Sequence, residues 1–326
     1  MTEPRRFGAS STTDDVLAGI DLTGTTAVVT GASGGLGAET ARALASKGCA
    51  VTLAARDVAK AATVAGSIRD AHPDATVDVG ALELTEPASV HAFVRQWRAN
   101  HDALQMLVLN AGVMASPLTR TAEGFELHFA ANHLGHFQLT TGLLDQLRAG
   151  APARVISVSS GGHVLSPVVF DDIHYVTREY DPWSAYGQSK TANVLFAVEL
   201  DRRHKDEGIR AFAVHPGMIA TDLSRHLTRE SIEQIVARAE GNGEPYKAVD
   251  AGAATTVWAA TAPELDGSGG VYLADCGIAP PIEEGSPGYA AHAVDPVAAR
   301  QLWDVSINSV SEDDDEEHNK AHAGEQ

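Results

Sequence analysis

From residue 26 onward, short apolar runs and helix-length stretches take turns along the chain, and this alternation restricts the fold more than any single residue does. Thr26–Thr30 (TAVVT), Ala50–Ala54 (AVTLA), Thr76–Gly80 (TVDVG), Met106–Asn110 (MLVLN), Arg154–Ser159 (RVISVS) and Ile209–His215 (IRAFAVH) read as strands. Between them Ala38–Ala45, Val58–His72 and Pro87–Asn100 read as helices, the last opening on a proline where the first turn tolerates one. Continuous apolar strands are those covered on both faces. Strands that alternate with helices make right-handed crossovers on a parallel sheet. The expectation is an α/β fold with a single doubly wound parallel sheet and helices on both faces. A ligand would sit beyond the carboxyl ends of the strands, where their order reverses.

Composition limits the function. The chain is 44% hydrophobic and 21% charged, the balance of an ordinary globular protein. It has no run of eighteen apolar residues, the length a membrane-spanning helix needs. Its net charge of −19 repels phosphates and excludes nucleic acid as a partner. Residues 311–326 carry seven acids and one lysine, a net of −6, leaving −13 of the −19 elsewhere. The run Glu312–Glu317 repels itself, so 311–326 is expected to be a disordered acidic tail. Residues 1–20, rich in Ser, Thr and charge, lack the apolar stretch of a secretory signal and read as a flexible arm. That leaves 21–310 as one dinucleotide-binding domain. Cys49 and Cys276 fit neither a disulfide framework nor a metal-ligand spacing; as buried small hydrophobes they suit a reducing compartment, the cytoplasm.

The first strand runs into Thr30-Gly31-Ala32-Ser33-Gly34-Gly35-Leu36-Gly37. Glycines let the backbone turn sharply and bring its N–H groups to a pyrophosphate, which the following helix N-terminus also favours. The second strand ends in Ala54-Ala55-Arg56-Asp57. A carboxylate at such a strand end accepts from the ribose 2′-hydroxyl of NAD, whereas an arginine fork grips the 2′-phosphate of NADP. Arg56 therefore favours NADP(H) without excluding NAD(H), with Asp57 turned aside as the cap of Val58–His72. The plainer reading of Arg56 is a solvated helix start.

Tyr186 and Lys190 are one turn apart on a helix expected over Ala185–His204, so they share a face. A nearby ammonium favours the phenolate and should draw the tyrosine towards the working range. Ser159-Ser160 ends the fifth strand, Asn110-Ala111-Gly112 ends the fourth, and Asn132 lies between them. His215-Pro216-Gly217 ends the sixth and leads to Thr221. Each has a plain structural reading, as cap, core amide or turn. Their arrival at consecutive strand ends is what those readings leave unexplained.

In this order, Thr-Gly-x-x-x-Gly-x-Gly, Asn-Ala-Gly, Asn, Ser, Tyr-x-x-x-Lys and Pro-Gly resemble the short-chain dehydrogenase/reductase family across roughly residues 22–275. Ala55-Arg56-Asp57, Asn132–Phe137 and Tyr186–Val194 look most like its retinol dehydrogenase and WW-domain oxidoreductase branch. The resemblance implies a Rossmann-type fold and an NADP(H)-dependent oxidoreductase that interconverts a ketone or aldehyde and an alcohol. It implies a tetrad: Ser160 orients the substrate oxygen and Tyr186 exchanges the proton. Lys190 lowers the tyrosine pKa and bonds the nicotinamide ribose, while Asn132 holds a water in a proton relay. By the same resemblance the cofactor touches Gly31, Ser33, Gly35, Leu36, Gly37, Arg56, Glu83, Leu84, Asn110, Ala111, Gly112, Tyr186, Lys190, Pro216, Gly217 and Thr221, with Glu83-Leu84 beside the adenine and Thr221 on the carboxamide.

The chain departs from the family pattern in places. Ser160 and Tyr186 are 26 positions apart, which makes 161–185 an insertion beside the substrate pocket. A second substrate loop is expected over 218–250, with Leu223–Asn242 as an amphipathic helix able to close over the substrate. The family's basic residue in the glycine loop is missing, since Gly34 and Leu36 stand around its place. Two other functions share these motifs: a nucleotide-sensing regulatory protein, against which the intact tetrad argues, and a C=C reductase using the same site. The stripe Val194, Leu195, Ala197, Val198 fits either a partner's equivalent helix, in a homodimer or homotetramer, or burial against the sheet. No metal is assigned: His133 and His136 lack a third ligand, and Asp171 and Asp172 point apart.

Overall fold

The structure, a computed structural model, describes residues 7–219, 246–283 and 288–323. The strands are β1 (Thr26–Thr30), β2 (Ala50–Ala55), β3 (Val77–Ala81), β4 (Met106–Leu109), β5 (Ala153–Val158), β6 (Ile209–His215), β7 (Met218–Ile219), β8 (Tyr246–Lys247), β9 (Val271–Ala274) and β10 (Gly277–Ile278). Eight of them form one sheet in the order β10-β9-β6-β5-β4-β1-β2-β3, while β7 and β8 make a separate parallel pair. Every neighbour in the large sheet is parallel except the last, β10 on β9. The expected doubly wound Rossmann-type sheet is present, with its order reversing between β1 and β4.

The helices are α1 (Thr13–Val16), α2 (Gly35–Ala45), α3 (Val58–Ala71), α4 (Pro87–Asn100), α5 (Leu127–Phe129), α6 (Gly135–Gly142), α7 (Leu144–Ala149), α8 (Pro182–His204), α9 (Val249–Thr261) and α10 (Pro296–Ala323). A single π-turn, Ala130–Leu134, joins α5 to α6. Strand β1 shows why its sequence is apolar throughout. Ala27 and Val29 belong to the core on one face, with Leu44, Leu53 and Val257, while Val28 belongs to the other, with Leu107, Phe137 and Phe196. Period-two alternation feeds both layers. Helix α8 starts a turn earlier than its apolar pattern suggests, because the Asp181 carboxylate accepts the Ser184 N–H (2.7 Å) and Pro182 presets the first turn.

Two segments differ from expectation. Residues 7–20 are docked rather than loose: Thr12 and Asp15 cap α1 reciprocally, and Leu17 is fully buried in the core. At the other end, α10 runs to Ala323, through the acidic run for which the sequence predicts a tail without regular structure. Its first turns bury Ala299, Leu302, Trp303 and Ser306. Trp303 stacks on Phe196 of α8 and meets Phe137 of α6 edge-on. The apolar stripe on α8 is therefore covered within the chain: Val194 and Ala197 join the sheet-facing core, and Leu195 and Val198 pack with Ala299 and Leu302.

The segment 161–185, expected to be an insertion, is tied down by its own polar groups. The Asp172 carboxylate accepts N–H bonds from Val176, Thr177 and Arg178, which hold it well below the usual carboxylate range. Arg178 lies over the Tyr175 ring and bonds Gln188 of α8. Of the second expected loop, 218–219 and 246–250 are described; Thr221 and Leu223–Asn242 lie outside the described residues. No helix among the described residues is long and apolar enough to cross a membrane. Cys49 and Cys276 are free thiols, and burial pushes both up to about 11.

Candidate active site

The crevice opens where β1 and β4 diverge, and the loops that follow them are stitched together. Thr30 Oγ1 accepts the N–H groups of Asn110 (2.8 Å) and Ala111 (3.0 Å), while the Asn110 amide donates to the Thr30 carbonyl (2.8 Å). Gly31 turns with φ +67°, and a Cβ there would stand 2.9 Å from Ala111 Cα. A Cβ at Gly37 would stand 2.6 Å from the Gly31 carbonyl oxygen. Only glycine permits this backbone cradle, which leads through Ser33, Gly35 and Leu36 into α2. A helix N-terminus behind an open turn is a seat for a pyrophosphate.

Arg56 and Glu83 meet at the ends of β2 and β3. The arginine side chain is 73% exposed and its Nη1 is 3.4 Å from Glu83 Oε2. The other Glu83 oxygen accepts from the N–H and hydroxyl of Thr85 (3.1 and 2.8 Å). Leu84 is buried behind it. Asp57 accepts the Lys60 N–H (2.9 Å) and caps α3, as the sequence suggested, so its carboxylate is spent on the helix. Lys60 is a residue the sequence reading did not single out. Its ammonium would be 3.6 Å from a Cβ at Gly34. Helix α3 thus brings to the glycine loop the cation that the loop itself lacks.

Asn132, Ser160, Tyr186 and Lys190 converge at the carboxyl edge of β4 and β5. Lys190 Nζ donates to the Val158 carbonyl (3.0 Å) and lies 5.8 Å from the centre of the Tyr186 ring. The Asn132 side chain accepts the Val113 N–H (2.8 Å) and donates to the Val113 carbonyl (3.0 Å) and Ser189 Oγ (2.9 Å). It thereby clips the loop after β4 against α8. A Cβ on Gly112 would stand 3.1 Å from Asn132 Oδ1 and 3.6 Å from Lys190 Nζ, so both groups flank that glycine. Ser160 Oγ accepts the Gly162 N–H (3.0 Å) and lies within hydrogen-bonding reach of the Tyr186 phenol. Pro216-Gly217 closes the edge after β6; Gly217 lies beside Lys247, which pairs with Asp275 at 2.5 Å.

The electrostatics correct one expectation. Burial pushes the Tyr186 phenol up to about 12, and the Ser160 hydroxyl only partly offsets it. Burial also pushes Lys190 down to about 8. Desolvation is the largest influence on both groups, and the net shift of the phenol is upward rather than downward. Near neutrality the pair holds a protonated phenol beside an ammonium close to its titration point.

A buried polar cluster beside the site went unread in the sequence. Glu126 and His128 are fully buried and bonded at 2.6 Å, and the His128 ring is 6.2 Å edge-on from the Tyr186 ring. Burial raises the Glu126 carboxyl, but bonds from His128 and from the N–H groups of His128 and Phe129 outweigh it, and the net shift is downward. His128 Nε2 accepts the Ser116 N–H (3.2 Å), and Tyr180 of the insertion donates to the Ser116 carbonyl (2.8 Å). The one available signal was Glu126 as a cap two residues before a histidine at a helix start. Among the described residues no group of three His, Cys, Asp or Glu side chains is placed to hold a metal ion.

The family model for short chain dehydrogenases matches residues 25–232. The chain belongs to the short-chain dehydrogenase family. It is 45% identical over 306 residues to a probable oxidoreductase of Streptomyces lividans, covering 90% of this chain and 99% of that one. It is 41% identical over 258 residues to human retinol dehydrogenase 12, covering 79% of each. Among solved structures it is similar to an uncharacterised protein from Mycobacterium paratuberculosis, with a TM-score of 0.71 and 32% identity, covering 93% of this chain and 98% of that one. The protein is thus an oxidoreductase enzyme, and its likeness to retinol dehydrogenases agrees with the branch its motifs resemble.

Proposed function

We propose that this short-chain dehydrogenase uses NADP(H) to interconvert a ketone or aldehyde and an alcohol, with Tyr186 exchanging the proton. The observation that carries the reading is the convergence of the Tyr186 phenol and the Ser160 hydroxyl at the mouth of the crevice, with the Lys190 amine 5.8 Å from the tyrosine ring. The bound dinucleotide supplies or removes the hydride. Ser160 Oγ accepts from Gly162, which leaves its own proton for a substrate oxygen or the phenol. Two hydroxyl donors then meet the negative charge that develops on a carbonyl oxygen. Burial keeps Tyr186 protonated at neutral pH, the form that reduction requires. Lys190, near its titration point, is placed to return the proton and to bond the nicotinamide ribose, and the clipped Asn132 to hold a relay water.

The cradle of Gly31, Ser33, Gly35, Leu36 and Gly37 accepts the pyrophosphate, with Asn110, Ala111, Gly112, Pro216 and Gly217 along the opposite wall. The exposed Arg56 fork, the Lys60 ammonium near the glycine loop and the diverted Asp57 support NADP(H) over NAD(H). The likeness to retinol dehydrogenase 12 supports an alcohol or aldehyde as substrate. Buried free thiols suit the cytoplasm. The test is a fluorescence titration comparing NADPH with NADH, followed by a carbonyl panel with the tighter nucleotide. Consumption of NADPH with alcohol formed is expected. Tight binding with no turnover across the panel would replace this reading with a nucleotide sensor, and saturation of a C=C bond alone would replace it with an enoyl-type reductase.

A further inference from the structure

The segment Asn132-His133-Leu134-Gly135-His136 crosses the π-turn and enters α6. Such turns widen the helix locally and reorient its carbonyls. The two histidines go opposite ways. His133 Nε2 meets Ser306 Oγ of α10 at 2.7 Å, away from the crevice. His136 turns inward and bridges two parts of the site. Its Nδ1 is 3.0 Å from the main-chain carbonyl oxygen of Asn132, and its Nε2 is 2.9 Å from Thr30 Oγ1.

The partners fix the tautomer. Thr30 Oγ1 already accepts two N–H bonds, from Asn110 and Ala111, and its own proton goes to His136 Nε2 at 2.9 Å, nearer than the Val108 carbonyl at 3.4 Å. Nε2 therefore accepts, and Nδ1 carries the ring proton and donates it to the Asn132 carbonyl. A protonated ring would set a second proton against the Thr30 hydroxyl. Burial holds the imidazole neutral, pushing it down to about 4 against the Asn132 bond, and the Lys190 charge adds to the effect.

We propose that His136 is a positioning residue that couples the dinucleotide cradle to the proton-transfer residues: its Thr30 bond sets the joined loops after β1 and β4, and its bond to the Asn132 carbonyl sets the backbone that carries the Asn132 side chain towards Gly112 and Lys190. The proposal rests on the reductase reading for its turnover arm only; the nucleotide-binding arm stands apart from it. A core histidine that merely fills space has no reason to hold one nitrogen on each half of the site.

Two substitutions separate the bonds, because the asparagine amide reaches the Nδ1 position and the glutamine amide reaches Nε2. His136→Asn keeps the donor to Asn132 and loses Thr30. It is expected to weaken NADPH binding about fivefold to tenfold, the worth of one buried hydrogen bond, with kcat within about threefold of wild type. His136→Gln keeps Thr30 and loses Asn132, and should lower kcat about tenfold or more with NADPH affinity nearly unchanged. Thr30→Val, which also removes the acceptor of the Asn110 and Ala111 N–H groups, should lose at least as much affinity as His136→Asn, and adding His136→Asn to it should cost little more. Equal losses of affinity and turnover in both His136 variants, or a fall in Tm with neither quantity moved, would overturn the proposal. If one His136 variant does not fold, the other is read alone against its own expectation, and unchanged NADPH affinity in Thr30→Val likewise rejects the coupling. If the wild type reduces no carbonyl, the reductase reading fails while the affinity contrast still tests His136.

Discussion

The two halves of the crevice are made of different material. The dinucleotide side is mostly backbone: a glycine turn, an open helix end and, at its rim, the 73% exposed Arg56. The substrate side is a wall of buried polar side chains, in which Asn132, Ser189, Lys190, His128 and Glu126 are each almost wholly removed from water and each bonded. A backbone cradle recognises a shape shared by many nucleotides and leaves discrimination to a few surface charges. A buried network fixes a few atoms to a fraction of an ångström, and each member is costly to leave unpaired. Changes on the first side should therefore alter which nucleotide binds, and changes on the second should alter turnover or folding.

The sharpest way to break that contrast is Tyr186→Phe. Loss of the phenolic proton should lower turnover by about 10³-fold, within the range a general acid supplies, with NADPH affinity held within about threefold. Steady-state kinetics beside a binding titration checks it, and equal loss of both would erase the division. Next is Trp303→Ala, which empties a site between α6 and α8 and should cost roughly 3 kcal/mol of stability in a denaturant titration. Little change there would mean that the wall does not depend on α10.

Acid should act on the buried histidines around the crevice rather than on its open rim. His133, His136 and His163 are buried and held down to about 3, 4 and 4, chiefly by desolvation. A histidine depressed in the folded state lends full stability above its unfolded pKa of roughly 6.5 and loses it as pH falls from there towards the folded value. Each should withdraw on the order of 1–2 kcal/mol by about pH 5. Melting curves between pH 7 and 5 should show a steep fall that weakens when His163 is replaced by Gln. The smallest effect belongs to the open side. Arg56→Ala should reduce the preference for NADPH over NADH about tenfold, with Tm unmoved because the side chain is exposed and its contact with Glu83 is long.

What could be read from the sequence follows the same division. Strands covered on both faces and glycines forced by close backbone approach leave local marks, so the sheet, the cradle and the Asp57 cap were legible residue by residue. Tyr186 and Lys190 were legible because helical spacing brings them together. The sign of the tyrosine shift was not, because desolvation depends on everything packed around the ring. His136 and His128 act through partners 106 and 12 positions away, and nothing in their local pattern announces those distances. The docking of 7–20 and the seating of α10 are tertiary events of the same kind.

The seating of Trp303 has a consequence for synthesis. Its niche lies between Phe137 and Phe196, which leave the ribosome long before residue 303 does. Until α10 arrives, the ring faces that Trp303 covers lack that cover, so a half-made or clipped polypeptide should be stickier. A chain stopped at Asp295 should bind more of an apolar dye than the chain that carries α10, which makes this helix a seal over the two rings.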